Sequence, residues 1–136
     1  MLEAEILENQ LCELIKLSLK DKQYSQKIIF PLPQRTIDKV KKKIYINLVN
    51  YTCLIHSDEI RHIYKEHGDE VFHICKIHYY LEKFAKIERS TTRDRVSGKN
   101  IPCLVFTKKE TIKDIRMVKM NISRDKILRL KTMFEV

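Results

Sequence analysis

The sequence predicts an α+β domain, with N-terminal helices packed on one face of an antiparallel sheet. Residues 2–20 carry apolar side chains at helical spacing, while the final third alternates as strands do in IPCLVFTK, IKDIRMVKMNI and KILRLKTMFEV. Apolar residues make up 43% and charged residues 33% of 136 positions, a balance that supports one core and argues against disorder.

In chain order, Leu2, Ile6, Leu7, Leu11, Leu14, Ile15 and Leu17 form the apolar stripe of the first helix. Glutamates fill its first half and lysines its second, the order the helix dipole favours. The segment lacks the basic n-region and apolar h-region of a signal peptide. No run approaches ~18 apolar residues, so no span is expected. FPLPQ (30–34) breaks the pattern, which suggests a helix and Pro-containing linker over 1–34 and the main fold over 35–136. TIDKVKKK reads as a short basic helix and 44–55 (IYINLVNYTCLI) as a strand. Ser57 is placed to cap the next helix and Gly68 to end it. A third major helix is expected over 71–88, then a polar basic loop, RSTTRDRVSGKN. The order is helices, one strand, two helices and three strands.

The formal net charge is +9, a strong positive field for one small domain, and it favours a polyanion such as nucleic acid. Cys12, Cys53, Cys75 and Cys103 form no CxxC pair, against a zinc or dithiol site. Their apolar neighbours predict buried free thiols and a reducing, cytoplasmic setting, with a disulfide between spatial neighbours left open.

On the helix SDEIRHIYKEHG, Ile60, Ile63, Tyr64 and His67 share one face, and His62 with Lys65 falls on the other. His67 sits at the negative helix end, which favours its protonated form. Each histidine has a plain reading, a C-terminal cap for His67 and a surface ring for His62, beside a catalytic one. A five-residue spacing turns helical rings about 140° apart, so neither this pair nor His73 and His78 shares a metal. In the last strand, Leu128, Leu130, Thr132 and Phe134 are expected on the core face, opposite Ile127, Arg129, Lys131 and Met133. With Arg116 and Lys119 on the preceding strand, the basic residues suggest a cationic floor. A snorkelling stem is the plain reading of any single one. Histidine, lysine and threonine together suit phosphodiester cleavage in RNA, as acid or base, charge stabiliser and hydrogen-bond donor. That chemistry needs no metal or cofactor, and the dispersed carboxylates do not suggest a two-metal nuclease.

Two stretches, HSDEIRHIYKEHGDE and ILRLKTMFEV, resemble motifs of the nuclease-like domains of phage polyvalent proteins and bacterial toxins. Those belong to the barnase, EndoU, colicin and RelE-like (BECR) superfamily. The resemblance covers about residues 44–136. It implies helices on a roughly four-stranded antiparallel sheet and a metal-independent ribonuclease toxin acting on tRNA or mRNA. By motif position the implied site residues are His62, Lys65, His67, Lys131 and Thr132. Arg116, Lys119 and Arg129 are candidates from strand position, and Arg93, Arg95 and Lys99 of the basic loop are expected to hold the RNA backbone. Regular alternation sends Lys131 and Thr132 to opposite faces unless a bulge intervenes. An acidic immunity protein or antitoxin is the expected protein partner. Two other readings fit the charge: a nucleic-acid-binding module with structural histidines, and a protein-interaction module docking through its first helix.

Overall fold

The computed structural model describes residues 3–94, 96–112 and 114–136. Helix α1 (Glu3–Lys20) leads into strand β1 (Lys27–Pro31), helix α2 (Gln34–Ile44) and strand β2 (Thr52–His56). Helix α3 (Ser57–His67) follows directly, then a 3-10 segment (Gly68–Lys76) and helix α4 (Ile77–Glu82). Strands β3 (Lys86–Arg93), β4 (Asn100–Lys109), β5 (Ile115–Ile122) and β6 (Ile127–Glu135) complete the chain. Among the described residues no helix is long and apolar enough to cross a membrane.

The α+β class holds, but the sheet has six strands in the order β1-β2-β6-β5-β4-β3, where four were expected. It is mixed as well, since β2 pairs parallel to β6 and every other neighbour is antiparallel. The two extra strands are its edges. β1 contains Pro31, which an edge strand tolerates because one side of its backbone needs no ladder partner. β3 buries Ile87 and otherwise carries polar side chains, so it lacks the alternation that marks a half-buried strand. It occupies the end of the expected 71–88 helix and the start of the expected loop.

The strand expected over 44–55 shrinks to β2. α2 runs to Ile44, and Tyr45 and Asn50 both take left-handed backbone conformations that interrupt an extended run. The apolar side chains of this stretch still reach the core, because Leu48 is fully buried within the loop. Gly68 ends α3 at φ 62 and ψ −136, a conformation nearly reserved for glycine. Space around it is open, so backbone geometry alone sets the requirement.

The helices cover one face of the sheet. Leu11 and Ile15 of α1, Ile60 and Ile63 of α3 and Ile74 of the 3-10 segment form one cluster with Leu104, Phe106, Val118, Met120, Leu128, Leu130 and Met133. Segment 1–34 thus shares its core with the rest of the chain, and β1 pairs with β2. All four cysteines are free, with Cys53, Cys75 and Cys103 buried and Cys12 half-buried. Burial pushes the Cys75 thiol up to about 12, well away from a reactive thiolate.

The cap of α3 differs from the expectation. His56 takes the capping position, accepting a hydrogen bond at Nδ1 from the Asp58 amide at 3.0 Å. Ser57 points inward and is fully buried. Its hydroxyl accepts from Ser18 Oγ at 2.9 Å and from the Gln26 amide at 3.1 Å, and donates to the Gln26 carbonyl. Arg61 adds bonds to the carbonyls of Ser18 and Tyr24 and to the Asp58 carboxylate. These contacts fasten the end of α1 and the approach to β1 onto the start of α3. Ser57→Ala leaves the buried Ser18 hydroxyl and Gln26 amide without a partner, and urea unfolding is expected to show a loss of about 1–3 kcal/mol.

Candidate active site

β2 pairs with β6 only from Thr52↔Ile127 to Leu54↔Arg129, whereas β6 continues to Glu135. α3 runs beside that continuation. Glu59 meets Arg129, His62 lines a cavity with Lys131, and His67 stacks on Phe134. The helix and strand read apart in the sequence are therefore neighbours along their length.

Register decides which β6 side chains look toward the cleft. Lys119 pairs with Thr132 but Met120 pairs with Leu130, so Lys131 is an extra residue in a bulge. The bulge resets the alternation. Leu128, Leu130 and Met133 face the helices and are fully buried. Thr132 and Phe134, expected on that core face, fall on the other one, and Met133 moves the opposite way. Thr132 and Phe134 share their face with Lys119 and Met117, their partners on β5. Leu54, Cys103 and Val105 on the same side are buried too, although they lie outside the main core cluster.

A cavity of about 190 Å³ opens where α3 meets the bulge, lined by Asp58, Glu59, His62 and Lys131. Arg129 donates from Nε to Glu59 Oε1 at 2.8 Å and from Nη2 to Oε2 at 3.2 Å. This fork aims the carboxylate. His62 Nε2 lies 3.1 Å from Glu66 Oε1. A proton donated from Nε2 to that carboxylate leaves the imidazole lone pair on Nδ1. The Thr132 hydroxyl has no hydrogen-bond partner among the described residues.

The remaining candidates distribute unevenly. The two α3 histidines are equally exposed, 28% for the His62 side chain and 27% for His67, so the outward-versus-inward contrast expected from the wheel does not hold. His67 is flanked by Glu66 and Glu70 and lies flat on Phe134, ring centres 5.2 Å apart. Tyr64 is exposed rather than packed, and Lys65 is exposed and does not line the cavity. Lys119 lies on the cleft face, whereas Arg116 lies on the helical face, buried beside Tyr80 in a separate cavity. The cationic floor thus divides between two sides of the sheet. Arg129 is occupied by Glu59.

Arg93 and Lys99 sit at the β3–β4 hairpin, both exposed; Arg95 lies outside the described residues. Hydrogen bonds from Ser97 and the Val96 amide hold Asp94 of this hairpin below the usual carboxylate range, and the Lys131 charge adds to the effect.

Asp58 and Glu59 are the cavity residues that sequence reasoning passed over, and Glu59 is the one held by Arg129. Its signal was present as Glu59, His62 and Glu66, spaced three and four apart on one helical face. Thr132→Val removes a hydroxyl with no partner and keeps the side-chain shape. Thermal unfolding is expected to show stability unchanged or raised by up to about 1 kcal/mol, whereas a structural hydroxyl would lose that much. No family model, curated protein or solved structure matches this chain.

Proposed function

We propose that the cleft between α3 and β6 cleaves RNA by general acid–base chemistry of its own side chains. One observation carries this reading: the bulge at Lys131 puts a lysine, His62 and an Arg-held Glu59 around one cavity, in a chain of net charge +9. Glu59 takes the proton of a ribose 2′-hydroxyl, whose oxygen attacks the adjacent phosphorus. His62 in its imidazolium form protonates the departing 5′-oxygen, giving a 2′,3′-cyclic phosphate and a 5′-hydroxyl end. Lys131 stabilises the charge that gathers on the phosphorane. The Thr132 hydroxyl, next to Lys131 and without a hydrogen-bond partner among the described residues, is the donor to a phosphate oxygen in this reading. Lys119 and the hairpin residues Arg93 and Lys99 hold the RNA backbone through charge, without reading sequence.

The motif resemblance supports the same reading and extends it to a toxin-type nuclease with tRNA as the first substrate class. A basic face of this kind suits an acidic immunity protein or antitoxin as its inhibitor. The plain alternative, RNA binding without cleavage, draws on the ion pairs His62 and His67 make with Glu66 and Glu70.

The test is incubation with total tRNA in the presence of a chelator, followed by mapping of the ends. Cleavage leaving cyclic phosphates is expected, with His62→Ala and Lys131→Ala each slower by about 100-fold or more. Thr132→Val should reduce the rate without reducing stability. Intact RNA at high protein concentration, or cleavage indifferent to both alanine variants, rejects the assignment. Salt-sensitive binding with intact RNA selects the non-catalytic alternative.

A further inference from the structure

A large cavity lies on the helical side of the sheet, away from the α3–β6 cleft. It measures about 1090 Å³ and is lined by α1, the 3-10 segment, α4, the β4–β5 turn and the ends of β5 and β6. Arg116 stands in its wall with 4% exposure. Nε and Nη1 of the guanidinium have no hydrogen-bond partner among the described residues. Nη2 has an ionic neighbour in Glu135 Oε2 at 3.7 Å, too long for a strong charge-assisted bond. A buried cation so poorly matched is costly, and a bound anion would offset that cost.

The other lining groups narrow the ligand. His73 Nδ1 lies 3.4 Å from the Tyr80 hydroxyl, and the Arg116 guanidinium lies 5.8 Å from the Tyr80 ring centre. Burial and the Arg116 charge lower the His73 pKa, which keeps the ring neutral near pH 7. Burial raises the Tyr80 pKa, so its hydroxyl stays a donor. Glu110, Asp114 and Glu135 also line the cavity and are exposed, so they form its rim. A hydrogen bond with Asp114 raises the Glu135 pKa, so this pair holds a proton more readily than separate carboxylates do.

The cavity is therefore bipolar, with one buried cation in its wall and three carboxylates with Lys76 at its mouth. A phosphate would meet more carboxylates than cations there and be repelled. A simple amine would leave Arg116 unmatched. Arg116 and Glu135 stand 3.7 Å apart, so a ligand carrying both charges on one carbon meets both. Phe72 and Tyr79, each 41% exposed, offer apolar surface in the same cavity to its side chain.

We propose that this cavity binds a free α-amino acid with an apolar side chain, its carboxylate on Arg116 and its ammonium on the rim carboxylates led by Glu135. A peptide does not qualify, because its two charged ends lie on different residues. The site is independent of the ribonuclease reading and shares no lining residue with the α3–β6 cavity.

Calorimetric titration of the full chain with L-phenylalanine and with L-leucine tests it, with NMR following the His73 ring. Binding that shifts the His73 resonances is expected. N-acetyl-L-phenylalanine, which lacks the ammonium, and L-phenylalanine amide, which lacks the carboxylate, should each bind at least about tenfold more weakly. Arg116→Met should abolish binding. If that variant does not fold, the two blocked ligands decide on the unmodified protein. Absence of binding by both amino acids overturns the proposal. Equal binding of either blocked form overturns it, as does tighter binding of inorganic phosphate.

Discussion

The short parallel pairing of β2 with β6 is the constraint on which the candidate site depends. Parallel strands need a long crossover, and here α3, the 3-10 segment, α4 and three strands intervene between the two. Because β2 stops at His56 and α3 begins at Ser57, the helix starts where the strand leaves off and has little freedom in where it goes. It takes up the edge of β6 that β2 vacates. The exposed edge is satisfied locally: the Glu135 amide, which has no strand there, donates to the Glu70 carboxylate at 3.1 Å. The Ser57 hydroxyl and the Arg61 fork pin the helix start from the α1 side. Geometry at the cleft is thus set by strand length, a helix without a linker, and two polar clamps, the buried Ser57 and the half-buried Arg61.

The bulge at Lys131 acts on that frame. Without it, strict alternation would bury Thr132 and Phe134 under the helices and turn Met133 outward. With it, Met133 completes the core beside Leu130, Phe134 is released to stack on His67, and Lys131 stands opposite His62. One extra residue does this because side-chain direction has a period of two, so a single insertion flips everything after it. Bulges recur beside active sites for this reason, since they re-aim a side chain at little cost to the ladder.

What was legible in the sequence follows from where burial imposes periodicity. α1, α3, β5 and β6 each bury one main face and β4 buries both at its centre, and Leu11, Ile60, Leu104 and Leu130 mark the face of the main core plainly. β3 buries almost nothing but Ile87, and β1 carries a proline, so neither edge writes a pattern. The segment 71–88 is apolar enough for a helix, but its 3-10 turns and the early exit at Phe84 are set by tertiary packing against Phe106. For the candidate cavity, motif position named two of the lining residues, His62 and Lys131. It missed Glu59, whose role depends on a contact with Arg129 seventy residues away. Strand position grouped Arg116 with Lys119, although an odd separation of three on a strand places them on opposite faces.

That last separation bears on how the protein divides its chemistry. Arg116 and Lys119 lie on one strand, and Glu135 and Thr132 pair with them on the next. Each face of this two-strand unit carries a polar group that the fold leaves without a hydrogen-bond partner among the described residues: the Arg116 nitrogens on the helical side and the Thr132 hydroxyl on the cleft side. Groups left so are selected against when stability is the sole criterion, because replacing them with apolar isosteres is neutral or favourable. Arg116 is the costlier of the two, being a charge rather than a hydroxyl and only 4% exposed. They lie on adjacent strands, and local violations of packing rules of this kind are what make a position a candidate for function. A fold held by α1 and the Ser57 clamp tolerates both, since neither position contributes to the interactions that fix α3 on β6.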